Sequence, residues 1–195
     1  MKIVSVRRQF IADHSSTNYL FYAAKPLSKE ARAYVNTLSS HVDVGARQAE
    51  LTYHGDFADL GDARRQKFLE HYDVEVRESY DWWTLSVMLD ADKVKDLNLE
   101  DYTMEDETSL TFDQQGQRVR LCFDGWHQDY GVSYDTFGED TLKGLAKLGV
   151  ELRDELYAGK LDALLVMYEY CGGEEQSGSQ SSPAAKKLAA ILERY

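Results

Sequence analysis

The residue types most able to do chemistry in this chain are its five histidines, because each has an aspartate within two positions. An aspartate that accepts a hydrogen bond from one imidazole nitrogen fixes the tautomer and raises the basicity of the other nitrogen, as a general base or a metal ligand requires. One hypothesis is therefore a hydrolase or metal-dependent enzyme in which such pairs converge in one pocket. The pairs considered for it are His54 with Asp56, His71 with Asp73, and His127 with Asp129.

The opposite interpretation is that these histidines are ordinary surface residues or satisfied buried ones. Aspartate is abundant in the chain, so near neighbours also arise by chance. No His-x-His, His-Glu-x-x-His or paired-cysteine spacing indicates a metal site, and no nucleophile elbow or phosphate-binding glycine loop is present. The two cysteines, Cys122 and Cys171, lie in apolar contexts and are expected to be buried free thiols. The sequence therefore assigns no catalytic residue, no metal ligand and no cofactor.

Two adjacent tryptophans stand in the stretch RESYDWWTLSVMLD, residues 77–90. Successive side chains of a strand point to opposite faces, so an extended backbone separates the two indoles. One face is apolar and is expected in the core; it carries Trp83, Leu85, Val87 and Leu89. The other face is mixed and carries Trp82, Thr84, Ser86 and Met88.

The mixed face has two interpretations, and both stay open. Helices that cover both faces of the sheet would make Trp82 part of ordinary packing. A cleft would instead make Trp82 a stacking platform, with Thr84 and Ser86 as hydrogen-bonding partners.

A second aromatic feature is the stretch DGWHQDYGVSYDTFG, residues 124–138, which has no obvious regular structure. Long loops of this kind are enriched in functional sites, and Trp126 and Tyr130 supply aromatic rings. The favoured hypothesis is a non-enzymatic binding or accessory protein. Its partner surface would include Trp82, the loop around Trp126 and Tyr130, or the groove that takes the last helix.

The charge balance limits the classes of partner. Acidic residues outnumber basic ones by 34 to 22, which gives a net charge of −12. A field of this sign repels phosphate backbones, so nucleic acid is not expected as a partner. The N-terminus lacks an apolar signal segment, and no apolar run approaches the roughly 20 residues of a membrane span. We expect a cytoplasmic protein without membrane association, whose protein partner and oligomeric state the sequence does not indicate.

Hydrophobic periodicity predicts a single α+β domain over residues 1–171, with a mixed or antiparallel sheet covered by helices. Strands are expected in NYLFYAA and ARQAELTYHGDF, in the consecutive runs YDVEVRESY and WWTLSVMLD, and in the hairpin TSLTFDQQGQRVRLCF. Apolar stripes predict a C-terminal helical hairpin. Residues 172–182 are expected to be a flexible linker, and residues 183–195 a tethered last helix.

Two shorter helices are expected in the first half of the chain. In KPLSKEARAYVNTLSS, Ser28 can cap the helix, and an inward face is predicted at Ala31, Tyr34, Val35 and Leu38. Asp62 is expected to cap a second helix that carries Phe68, Leu69 and Tyr72 inward.

Four segments, in this order, resemble a group of uncharacterised bacterial and archaeal proteins, some of which are encoded near proteins with SWIM-type zinc fingers. The segments are FYAAKPLSKEARAYVNTLSS, YHGDF, YDVEVRESYDWWTLSVML and GKLDALLVMYEY. The wider group tends to show Trp-Gly after the first extended run, where this chain has Trp82 and Trp83. The resemblance brings no activity, cofactor or catalytic residue. It implies an intracellular prokaryotic protein that is an accessory to a multi-protein system.

Overall fold

A computed structural model describes residues 16–54, 59–79, 82–106, 108–126, 139–175 and 181–192 of the chain. Strands in which apolar and polar residues alternate build its sheet. The strands are β1 (Ser16–Tyr22), β2 (Asp43–Val44), β3 (Gln48–His54), β4 (Val74–Ser79), β5 (Trp82–Asp90), β6 (Met104–Glu105), β7 (Ser109–Gln115) and β8 (Arg118–Trp126). They form one sheet in the order β2-β3-β1-β4-β5-β8-β7-β6, and the paired strands run antiparallel. The α+β prediction is confirmed, with the antiparallel form of the sheet.

The helices of the described chain are α1 (Lys29–Asn36), α2 (Asp62–Leu69), α3 (Ala91–Val94), α4 (Glu139–Tyr157), α5 (Asp162–Tyr170) and α6 (Pro183–Leu192), with a short 3-10 helix at Leu99–Tyr102. Ser28 caps α1 as predicted, because its hydroxyl accepts a hydrogen bond from the Ala31 amide. The prediction that Asp62 caps α2 is wrong. Gly61 holds the cap position with a φ of 73°, and Asp62 is the first helical residue, where its charge still favours the helix N-terminus.

One face of the sheet packs against the C-terminal helices. Trp83, Leu85, Val87 and Leu89 are buried there together with residues of α4, α5 and α6. Trp83 is 1% exposed, and its ring meets the Phe123 ring edge-on at a centroid distance of 5.4 Å. The predicted core face of β5 is therefore confirmed.

The other face carries a second core under α1 and α2. Phe21 stacks on Phe68 at a centroid distance of 4.6 Å, and Tyr72 and Met88 are buried in the same cluster. Tyr34, which was expected to face inward, is 42% exposed and packs against the His71 ring at 5.3 Å. The prediction for Tyr34 is wrong because α1 is short and buries only Val35.

The last helix docks on its own chain. Its buried residues belong to the same core as α4 and α5, and they are Ala184, Ala185, Leu188, Ala189 and Leu192. Ser182, at the end of the predicted linker, is buried and donates a 2.8 Å hydrogen bond to Glu155, while Lys187 pairs with Glu151 at 2.6 Å. The groove proposed as a partner surface is therefore filled by α6.

Among the described residues, no helix has the combination of length and apolar character that crossing a membrane requires.

Candidate binding site at one end of the sheet

The antiparallel register sorts the predicted site residues between two ends of the sheet. Ser16, His54 and Ser79 lie at one end, where β5 begins at Trp82 and β8 ends at Trp126; we call this the tryptophan end. Tyr22, Gln48 and Val74 lie at the other end, next to Asp73, and we call it the Asp73 end. The β1 strand joins the two ends over seven residues, which corresponds to roughly 20 Å.

Trp82 and Trp126 are register partners across β5 and β8. Two residues further along the same pair of strands, Thr84 faces Asp124, and Asp124 also faces Ser109 of β7. The Thr84 hydroxyl donates to one carboxylate oxygen of Asp124 at 2.6 Å, and the Ser109 hydroxyl donates to the other at 2.9 Å. All three residues are half-buried. Two neutral hydroxyls thus fix a carboxylate beside the paired tryptophan positions.

The next row along the strands is more deeply buried, with Ser86 and Glu75 both 0% exposed. Ser86 is fully buried and its hydroxyl lies 3.8 Å from the Cys122 sulfur. Burial, with a smaller contribution from Asp124, raises the pKa of Cys122 to about 11, so the thiol stays protonated at neutral pH and is a poor nucleophile. Glu75 of β4 completes the row. Arg65 of α2 donates to both of its oxygens at 2.8 and 2.9 Å.

The mixed face of β5 is therefore divided along its length. Ser86 and Met88 are buried, as the packing interpretation expects, whereas Thr84 is half-buried and bonded to Asp124. Polar groups with access to solvent lie at the two ends of this face, Thr84 near Trp82 and the exposed Asp90 at the other end of β5.

A second polar row crosses the opposite face at the same end. Thr52, Asn18 and Glu78 are register partners on β3, β1 and β4. The Thr52 hydroxyl donates to the Asn18 side-chain carbonyl at 2.8 Å, and the Asn18 side-chain amide donates to Glu78 at 3.1 Å. Burial raises the pKa of Glu78, and the hydrogen bond from Asn18 opposes this shift.

Sequence reasoning missed Glu78 and Asn18, although a signal existed. Glu78 lies on the same face of the sheet as Val74 and Val76, because alternate residues of β4 share a face. Asn18 likewise lies on the same face as Leu20 of β1. Those apolar residues are buried, so a polar residue in phase with them must find a partner inside.

Of the histidine and aspartate candidates, His54 ends β3 at the tryptophan end and is exposed. Its predicted partner Asp56 lies outside the described residues. His127, Asp129 and Tyr130 also lie outside them, and so does most of the predicted aromatic loop.

His71 and Asp73 lie at the Asp73 end and have separate environments. The Asp73 carboxylate contacts Arg153 at 2.8 Å and Arg118 at 3.6 Å, and it accepts a hydrogen bond from the Ala24 amide. The His71 ring packs on Tyr34 instead. The structure does not bring this pair together with His54, because the length of β1 separates them.

Within the ranges that the structure describes, no group of three or more His, Cys, Asp or Glu residues could hold a metal ion. Comparison with known proteins finds no family model, no curated protein and no solved structure that matches this chain.

Proposed function

We propose that the protein is a non-enzymatic binding or accessory protein that holds a protein partner at the tryptophan end of its sheet. The observation that carries the proposal is the register pairing of Trp82 with Trp126, two residues from the Thr84, Asp124 and Ser109 row. Tryptophan is enriched among the residues that dominate binding energy at protein interfaces. Two such residues beside an anchored carboxylate combine apolar contact with a directional acceptor.

The charge of the chain favours a partner with a basic surface. A net charge of −12 steers basic surfaces toward the protein and repels nucleic acid and other polyanions. The proposal retains the cytoplasmic location expected from the sequence. The resemblance to prokaryotic proteins encoded near SWIM-type zinc-finger proteins adds that the partner belongs to a multi-protein system.

The hydrolase hypothesis requires at least two histidine and aspartate pairs in one pocket. Of the three pairs, only His71 with Asp73 is described in full, and its carboxylate is engaged by two arginines. No described observation favours that hypothesis, so we do not propose it as a second function.

The experiment is affinity capture from the native cell extract with the purified protein and matched variants. A partner held at the tryptophan end should be retained by the wild-type protein and lost on Trp82→Ala and on Asp124→Asn. Tyr34→Ala is the control, because it removes an aromatic ring that is 42% exposed near the Asp73 end. Circular dichroism should show that each variant is folded.

The proposal is contradicted if Trp82→Ala retains the same partner as the wild-type protein. It is also contradicted if Tyr34→Ala loses that partner to the same degree, because the loss would then not be specific to the tryptophan end.

A further inference from the structure

Two glutamates on β4 have opposite environments although only three positions separate them. Glu75 is 0% exposed, and the Arg65 guanidinium matches its charge with two hydrogen bonds. Glu78 lies on the other face of the sheet and is half-buried. Its contact in the described chain is the neutral amide of Asn18 at 3.1 Å.

A carboxylate that loses solvent without gaining a cation is costly to keep ionised. Within the described residues, Lys143 lies on the same side of the sheet but pairs with Glu50 at 3.6 Å. No described lysine, arginine or histidine forms an ion pair with Glu78. Among the described residues, therefore, no cation compensates the charge of the Glu78 carboxyl group.

The hydrogen bonds around Glu78 fix its geometry. Because Asn18 accepts from Thr52 through its carbonyl oxygen, its amide nitrogen is turned toward Glu78. The Asn18 amide donates to Oε2 of Glu78, and Oε1 receives no hydrogen bond from the described residues. Thr52 at the β3 end of the row is exposed, so the row opens to solvent on that side.

We propose that Glu78, positioned by Asn18 and Thr52, binds a basic side chain, the ammonium group of a lysine or the guanidinium group of an arginine. The inference rests on the proposed function, since the basic side chain would belong to the partner. Oε1 of Glu78 would accept the charge-assisted hydrogen bond. The net charge of −12 favours the approach of such a group.

The test is a titration with N-acetyl-arginine amide and N-acetyl-lysine amide, followed by NMR at the Asn18 side-chain amide. N-acetyl-citrulline amide is the neutral control, because it keeps the shape of the arginine probe without the charge. We expect saturable shifts with at least one cationic probe, and binding of citrulline weaker by about tenfold or more.

Glu78→Gln should abolish the saturable shifts, and Glu70→Gln should leave them unchanged. Glu70 is an exposed glutamate at the end of α2, so its substitution removes the same charge away from the row. The inference is overturned if citrulline binds as well as arginine, if Glu78→Gln binds the probes normally, or if neither cationic probe saturates.

Failure of this inference is distinguishable from failure of the proposed function. If the probes do not bind at Glu78 but a partner is still lost on Trp82→Ala, only the Glu78 site is wrong. If the probes bind at Glu78 but no partner depends on Trp82, the site stands as a cation site and the proposed partner surface is wrong.

Discussion

The two ends of the sheet hold the carboxyl groups of Asp73, Asp124 and Glu78 in different ways. At the Asp73 end, one carboxylate lies between Arg118 and Arg153, and Arg118 also donates to the Leu69 and Tyr72 carbonyl oxygens. At the tryptophan end, Asp124 is held by two hydroxyls and Glu78 by one amide, all of them neutral. Arg77, the register partner of Thr84, forms a more exposed ion pair at this end, with Asp59 at 3.3 Å.

This difference separates a structural role from a binding role. The Asp73 contacts join β8, α4 and the segment before β4 by opposite charges within the chain, which ties the layers together. The Asp124 and Glu78 carboxyl groups at the tryptophan end are fixed in position by neutral hydrogen-bond donors, and we propose that such groups interact with a partner. The predictions below test this division.

The largest effect is expected at the core tryptophan of β5. Trp83→Ala should lower the free energy of unfolding by about 3–5 kcal/mol, because it empties a fully buried aromatic site. Trp82→Ala should cost clearly less, since the proposal places Trp82 at the partner surface. Urea unfolding curves of both variants give the comparison, and equal losses would show that both rings are structural.

The close approach of Gly125 to Trp83 predicts a second effect. A Cβ at Gly125 would lie 2.2 Å from Cε2 of Trp83, so Gly125→Ala should cost about 1–3 kcal/mol of unfolding free energy. Gly144 lies in the interior of α4, and a Cβ there would have no neighbour within 4 Å. Gly144→Ala should therefore raise the free energy of unfolding by up to about 1 kcal/mol. Thermal unfolding measures both variants, and a higher melting temperature for Gly125→Ala than for Gly144→Ala would contradict this packing.

A substitution at the Asp73 end should lower the stability of the protein and leave partner binding unchanged. Asp73→Asn should cost about 1–2 kcal/mol, because it removes the carboxylate that the half-buried Arg118 and Arg153 share, although Arg153 keeps its pair with the exposed Asp154. Asp113→Asn is the matched control, because the Asp113 side chain that pairs with Arg120 is 53% exposed against 27% for Asp73, and the expected cost is below about 1 kcal/mol. The proposed difference between the two ends is contradicted if Asp73→Asn unfolds at the same urea concentration as the wild-type protein. It is also contradicted if Asp73→Asn loses partner binding.

The pH dependence of stability should identify the uncompensated carboxyl group. The folded-state pKa of Glu78 is raised, mainly by burial, so its contribution to stability is full in acid and is lost as the pH rises through that pKa. Glu78→Gln removes this loss. The variant should be at least as stable as the wild-type protein at pH 7, and any advantage should disappear at acidic pH.

Urea unfolding of both proteins at several pH values measures this difference. The opposite result would be a Glu78→Gln variant whose stability relative to the wild-type protein falls as the pH rises from acidic to neutral. That result would show that Glu78 is ionised and stabilising in the fold.

Local patterns in the sequence predicted much of the fold and little of the site. The alternation in WWTLSVMLD was sufficient to place Trp83, Leu85 and Val87 in the core, and Ser28 was recognised as a helix cap from its position alone. Tyr34 was misplaced because helical spacing does not show how much of a short helix its neighbours cover.

The site depends on contacts between residues that are distant in the sequence. Asn18 and Glu78 are 60 positions apart, and Thr84 and Asp124 are 40 apart. Such contacts require the strand order and register, which hydrophobic periodicity does not specify. Glu78 could have been suspected only as a charged residue in phase with Val74 and Val76.

The most direct test of a partner surface at the tryptophan end is acrylamide quenching of three variants that each keep one of the tryptophans at positions 82, 83 and 126, with phenylalanine at the other two. Our account predicts strong quenching for the variants that retain Trp82 or Trp126, and weak quenching for the one that retains the buried Trp83. Equal protection of all three tryptophans would contradict a partner surface at the tryptophan end.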